Sequence, residues 1–264
     1  MSAVSPILKQ TILELQNLSS ISQFALGGGT NLALRYNHRI SIDIDFIAPV
    51  IIGRIGFDQI IEEVESVYGK KQVNTMLLNT KLGEQFLFLK MFISKEDQVI
   101  KVEFLQNMKC LFIPEVFDGI RVIHKTDIGL FKLMSASNRF AKKDIYDLDY
   151  ITDEMPLIEL FNQFKIKSEK FNQSEHRTIF DLDNEINPID KPELLLEFDS
   201  VNISKQNRPS HSSDRIEVLE SSKPWQLVRL NWRSKVRQLY KHLDKDFPTP
   251  TGIRIKGSFK HLFA

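Results

Sequence analysis

Two carboxylates stand two residues apart in Ser41-Ile-Asp43-Ile-Asp45-Phe46, and a glycine run, Gly27-Gly28-Gly29, lies shortly upstream. Apolar residues alternate from Ile40 to Ile47, which predicts a strand with Asp43 and Asp45 on one face and Ile42, Ile44 and Phe46 on the other. Paired carboxylates repel each other unless a cation or a proton intervenes. Magnesium suits such a pair, because it takes one or two carboxylates and completes its shell with water and phosphate oxygens. A strand whose polar face is merely solvated is the plain alternative. A third acid, Glu103, sits among apolar neighbours in Ile100-Lys101-Val102-Glu103-Phe104-Leu105. A carboxylate in such a run is expected to be paired or metal-bound, and Lys101 on the same face is its candidate partner.

The glycines separate apolar Phe24-Ala25-Leu26 from a helical stretch, Thr30 to Tyr36. Glycine lets backbone approach a ligand closely, and amides opening a helix can hold an anion. Gly28 and Gly29 are therefore candidates for wrapping a triphosphate, with the hydroxyls of Thr30 and Ser41 beside them. A simple tight turn is the alternative. No Gly-Lys-Ser/Thr follows, so this is not a Walker loop, and the Gly-x-Gly-x-x-Gly dinucleotide pattern is missing too.

These groups need a scaffold. Apolar spacing predicts helices over Ser5–Leu18 and Gly56–Tyr68, and strands over Ser22–Leu26, Gln85–Ile93 and Gln98–Leu105. The order fits an α/β (α+β) sheet domain over residues 1–122. From Lys125 the pattern turns helical. Thr126-Asp127 is a candidate cap, helices are expected over Ile128–Arg139, from Asp144 and over Leu157–Phe164, and the last runs from Pro224 to about Leu243. Residues 123–264 are thus expected to be a mostly helical region that completes the site and binds the acceptor. The polar run Ser204 to Asp214 reads as a loop or linker.

The chain has 264 residues, with 35 basic and 34 acidic side chains and a net charge of +1. Bulk charge gives no reason to expect non-specific nucleic-acid binding. Locally, Arg229 to Lys241 holds five basic residues around Trp232 and Tyr240. Such a stretch could grip a phosphate backbone and stack a base, or be a solvated basic helix face. Cys110 is the single cysteine, which excludes an internal disulfide and a cysteine-rich zinc site. No apolar run reaches the roughly 18–20 residues of a membrane helix, and no secretion signal is evident. A cytoplasmic location without membrane partners is the simplest expectation.

Gly28-Gly29-Thr30, Arg39-x-Ser41-x-Asp43-x-Asp45-Phe46 and a later block, Lys132…Arg139…Lys143-Asp144-Ile-Tyr-Asp147-Leu, together resemble the AbiEii/AbiGii/MenT-type nucleotidyltransferases. These are toxins of type IV-like bacterial toxin–antitoxin and phage-defence systems. The resemblance implies a nucleotidyltransferase fold, with a small mixed sheet followed by helices. It implies transfer of a nucleoside monophosphate from an NTP, with Mg2+ or Mn2+ held by Asp43 and Asp45. Arg39 joins the nucleotide-binding set, Lys132 neutralises phosphate, and Asp144 or Asp147 acts as base or orienting acid. An antitoxin protein is the implied partner, and the acceptor is a tRNA 3′ end, another RNA or a protein. Two other readings of the residues remain: an Asp-x-Asp glycosyltransferase using a nucleotide sugar, and a non-catalytic nucleotide- or partner-binding protein of the same fold.

Overall fold

The computed structural model describes residues 2–199 and 215–248. The expected linker from Ser204 to Asp214 lies outside the described residues. The chain opens with helix α1 (Pro6–Gln16), where the Ser5 side chain accepts from the Leu8 amide and proline fills the first turn. Strand β1 (Ala25–Leu26), helix α2 (Gly28–Tyr36), strand β2 (Ile44–Ile47) and helix α3 (Gly53–Tyr68) follow. Strands β3 (Val73–Leu78), β4 (Phe88–Lys95), β5 (Gln98–Leu105), β6 (Glu115–Phe117) and β7 (Ile120–Val122) come next. Helices α4 (Lys125–Arg139), α5 (Lys142–Glu154), α6 (Leu157–Lys170) and α7 (Trp225–His242) form the second half, joined by short 3-10 turns.

The strands form one mixed seven-stranded sheet in the order β3-β4-β5-β2-β1-β7-β6. β5 runs parallel to β2, and the register sets Asp45 beside Glu103. The antiparallel β4–β5 pair sets Lys90 beside Glu103 on the other side. Strand side chains alternate between faces. Phe46 and Phe104 accordingly enter an apolar cluster with Ile12 and Phe57, while Ile47 and Leu105 enter another with Leu133, Tyr146, Phe161 and Trp232. The sheet is packed on both faces, and the second cluster runs across residue 122. Asp45 and Glu103 share the parity of Ile47 and Leu105, so they face the α4–α7 layer.

Several elements depart from the sequence expectation. β2 begins only at Ile44, because the preceding backbone is drawn elsewhere: Ile40 N–H donates to Glu217 O at 2.8 Å and Ser41 N–H to Ala3 O at 2.9 Å. Asp43 therefore flanks the strand instead of lying within it. β1 is confined to Ala25–Leu26, since Ser19–Ile21 form a 3-10 turn. α4 is capped by His124, while Asp127 accepts the amides of Leu111 and Phe112 at 2.9 Å each. The basic stretch near the C-terminus is helix α7, and its aromatic side chains are core. Trp232 is fully buried and donates to Leu195 O at 2.8 Å, and Tyr240 is buried too. Lys235 is bound to Asp149 at 2.7 Å and Asp153 at 2.6 Å. A base-stacking platform there is ruled out by this burial.

Candidate active site

Three acids meet at the β2–β5 seam. Glu103 is buried, and Asp43 and Asp45 are half-buried. Lys101 Nζ lies 3.2 Å from Asp43 Oδ2 and 3.3 Å from Glu103 Oε2, and Lys90 Nζ lies 3.4 Å from Glu103 Oε1. Lys101 therefore does pair with Glu103, and it serves Asp43 as well. Burial draws the Lys101 ammonium down, but Glu103, Asp43 and Asp45 outweigh it and leave the group raised. Glu103 Oε1 is buried without a hydrogen bond. Asp45 is pushed up to about 6, first by burial and then by the Glu103 carboxylate. The cluster is short of positive charge.

Above it lies the glycine turn. Gly28 has φ +59° and opens α2, whose N-cap Gly27 supplies no side-chain cap. The first amides of a helix have no intrahelical acceptor, so they offer an anion site. A Cβ on Gly28 would overlap the Asp45 carboxylate, and one on Gly29 would overlap the Arg39 guanidinium. Both glycines thus permit close packing of the two charged layers. Thr30 is placed differently from expectation. It is fully buried, its hydroxyl donates to the Asp43 carbonyl, and it lies 2.8 Å from Ser41 Oγ. The Thr30 hydroxyl braces the loop carrying Asp43. Ser41 lies at the cavity wall.

The later block converges on the same place. Lys132 Nζ binds Asp144 Oδ1 at 2.7 Å and Asp147 Oδ2 at 2.8 Å, tying α4 to α5. Arg39 grips Asp147 with two bonds, Nε to Oδ1 at 2.7 Å and Nη2 to Oδ2 at 2.8 Å. His38 Nε2 lies 2.8 Å from Asp147 Oδ1, and Arg139 Nη2 lies 3.2 Å from Asp144 Oδ2. Burial alone would raise both carboxyls, yet the neighbouring cations hold Asp144 low and Asp147 well below the ordinary range. Asp147 makes four such contacts, whereas a proton acceptor needs a free lone pair and a higher pKa. Burial lowers His38 despite Asp147, so the ring stays neutral and its Nε2–H is the donor.

Three cations face two carboxylates in this network, and Lys143 adds another. Lys143 is half-buried and lines the same cavity, and no ion pair or hydrogen bond holds it among the described residues. Burial, then the charges of Lys132, Arg39 and Arg139, depress its pKa. The surplus positive charge opposite the acids is what a polyphosphate requires. Sequence reasoning missed Lys143 as a site residue although it lies inside the later block; its signal is a lysine directly before Asp144 at a helix start. His38 was missed as well, and nothing in its sequence context distinguishes it.

Acids, glycine turn and cations all line one cavity of about 500 Å³. Phe131, Met134, Phe164, Phe171 and Phe180 line it too, together with polar groups such as Asp181 and Asn187. The charged part of the lining suits phosphate and metal, and the aromatic part suits a flat ring.

The family profile described as nucleotidyl transferase AbiEii toxin, type IV toxin–antitoxin system, matches residues 14–249. The chain belongs to the AbiEii family. It is a nucleotidyltransferase of that toxin family, as the motif resemblance implied. Comparison with curated proteins finds no match. Among solved structures, JHP933 from Helicobacter pylori is similar at 15% identity and a TM-score of 0.48, covering 89% of this chain and 90% of that one. MenT4, a nucleotidyltransferase toxin from Mycobacterium tuberculosis H37Rv, is similar at 17% identity and a TM-score of 0.47, covering 92% of this chain and 83% of that one. No helix among the described residues is long and apolar enough to cross a membrane.

Among the described residues of this AbiEii protein, no three His, Cys, Asp or Glu side chains form a ready-made metal cage. Magnesium does not need one, since water and substrate phosphate fill most of its positions. Asp43 and Asp45 supply hard oxygen donors, and the raised Asp45 carboxyl marks the missing charge. The residues present fit Mg2+ or Mn2+.

Proposed function

We propose that this AbiEii-family enzyme transfers a nucleoside monophosphate from an NTP to an acceptor hydroxyl, acting as a toxin restrained by a cognate antitoxin. The observation that carries it is the juxtaposition, in one cavity, of Asp43, Asp45 and Glu103 with the glycine turn and the cations Lys132 and Lys143. Asp43 and Asp45 hold Mg2+ or Mn2+, which when bound would neutralise the triphosphate and the charge building on the leaving group. The amides of Gly28 and Gly29, with Ser41 at the wall, wrap the triphosphate. Lys143 supplies the direct phosphate contact, and Lys132 adds its charge from within the ion network. Arg39, Asp144 and Asp147 hold that network in place.

The acceptor oxygen bonds to the α-phosphorus while the bond to the bridging β-oxygen breaks, releasing pyrophosphate. The acceptor proton passes to a carboxylate of the acid cluster, with Glu103 the acid assigned to it. The acceptor is an RNA, with a tRNA 3′ end the first to test, and residues 123–264 carry its contacts while residues 1–122 carry the nucleotide. Family membership sets the glycosyltransferase and non-catalytic readings aside.

The test incubates the protein with each labelled NTP, Mg2+ and total RNA, and asks which macromolecule carries label. Label in RNA, lost with Asp43→Ala, is expected. Equal labelling by Asp43→Ala would sink the assignment, and label in protein alone would replace the RNA acceptor.

A further inference from the structure

Among the charged groups that line the cavity and that the transfer chemistry does not use, Lys167 on α6 sits against an aromatic ring. Its side chain is 13% exposed. Its Nζ is buried and has no hydrogen-bond partner among the described residues. It rests 3.7 Å from the centre of the Phe131 ring, a position that stabilises the cation but fills none of its three N–H donors. An Asp127 oxygen lies 3.8 Å away, beyond hydrogen-bond reach, and both Asp127 oxygens already accept backbone amides.

A buried donor without an acceptor is unfavourable, and a ligand that brings an acceptor gains the difference. Burial, opposed by Cys110 and Asp127, lowers the ammonium to about 8, so the group is still mainly protonated at neutral pH. The ligand must be flat and apolar-faced, to lie among Phe131, Phe164, Phe171 and Phe180, and must carry an oxygen acceptor on its inner edge.

We propose that Lys167 is the base-selecting residue, donating a hydrogen bond to a ring carbonyl and so favouring uracil, cytosine or guanine over adenine. The inference rests on the NTP reading above. Adenine has no carbonyl, and offers Nζ only ring nitrogens, which are weaker acceptors for an ammonium than a carbonyl oxygen and, at N1 and N7, are flanked by the exocyclic amine, a competing donor. A site built to hydrogen-bond one substrate group discriminates strongly against the analogue lacking it.

The experiment measures kcat/KM for UTP, CTP, GTP and ATP with wild type, Lys167→Met and Lys167→Gln, alongside melting temperatures. Methionine keeps the stem over Phe131 without the charge. Glutamine keeps one donor, adds an acceptor, and is the second variant should methionine fold poorly. Wild type should prefer at least one carbonyl-bearing triphosphate to ATP. In Lys167→Met that preference should shrink by about tenfold to a hundredfold, the range for losing a hydrogen bond to a charged group. Lys167→Gln should fall between. An ATP preference in wild type, or an equal decline with all four triphosphates, overturns the inference and leaves the transferase intact. Absence of turnover by wild type with every triphosphate overturns the transferase reading and the inference with it.

Discussion

Replacing Asp45 by asparagine should stabilise the metal-free protein at neutral pH while abolishing turnover. Asp45 lies against Glu103 across the β2–β5 register, and burial plus that neighbour push its carboxyl up to about 6. An unfolded aspartate titrates at about 3.9. The folded pKa exceeds the unfolded one, so the folded state holds the proton more tightly between them. Ionised Asp45 therefore imposes no penalty below about pH 4 and its full penalty above about pH 7. At about 1.4 kcal/mol per pH unit the ceiling is about 3 kcal/mol. Relaxation around the site makes on the order of 1–2 kcal/mol the realistic gain on neutralisation, or roughly 2–8 °C in Tm. Asparagine keeps the shape without the charge. The assay is a thermal melt of wild type and Asp45→Asn at pH 4.5 and 7.5, with EDTA or with excess Mg2+. In EDTA at pH 7.5 the variant should melt higher, and the gain should fall to about a third at pH 4.5. Added Mg2+ should raise wild type and leave the variant nearly unmoved. A variant that melts lower at pH 7.5, or whose gain is undiminished at pH 4.5, would refute the repulsion account. An equal Mg2+ shift in both proteins would remove Asp45 from the metal site.

Gly28→Ala should reduce turnover by on the order of a hundredfold or more, because its Cβ overlaps the Asp45 carboxylate at φ +59° and small misplacements near the chemistry have effects of that size; steady-state rates beside a circular-dichroism check will decide. Lys143→Met should raise KM for the triphosphate by about tenfold or more, the scale of a lost charged contact, without lowering Tm, since no described partner is abandoned. Arg39→Met should destabilise the fold by about 1.5–3 kcal/mol, because the buried Asp147 carboxylate loses its two guanidinium bonds and keeps only Lys132 and His38, which chemical denaturation measures directly. If Arg39→Met melts like wild type while KM rises, Arg39 is a ligand-binding residue and not a strut.

Much of the scaffold was legible because its periodicities are long. α1, α3, α5 and β5 follow apolar patterns that local spacing defines well. β2 was overread because alternation continues from Ile40, whereas pairing with Ala3 and Glu217 interrupts the ladder before Ile44. β6 and β7 are three residues each, too short to leave a period. Within the candidate site, Asp43, Asp45 and Glu103 stood out because carboxylates among apolar residues need a reason. At Thr30 the sequence left the partner open, since a hydroxyl in a glycine-rich turn serves the backbone as readily as a phosphate, and here it meets the Asp43 carbonyl. Lys143, although part of the later block, and Lys167 were both passed over for a common reason. A lysine on an amphipathic helix looks solvated in sequence, and only the packed fold shows which ammonium has been enclosed.

The pairing of Arg39 and His38 with Asp147 spans more than a hundred positions, which has a consequence for synthesis. Contacts this distant in sequence form late, after the intervening chain has been made and ordered. A ribosome-bound chain that has not yet released α5 holds the glycine turn and the acid pair but lacks Asp147, to which Arg39 is tied beside Gly29. On the proposed mechanism, a translation product that ends before α5 is expected to be inert.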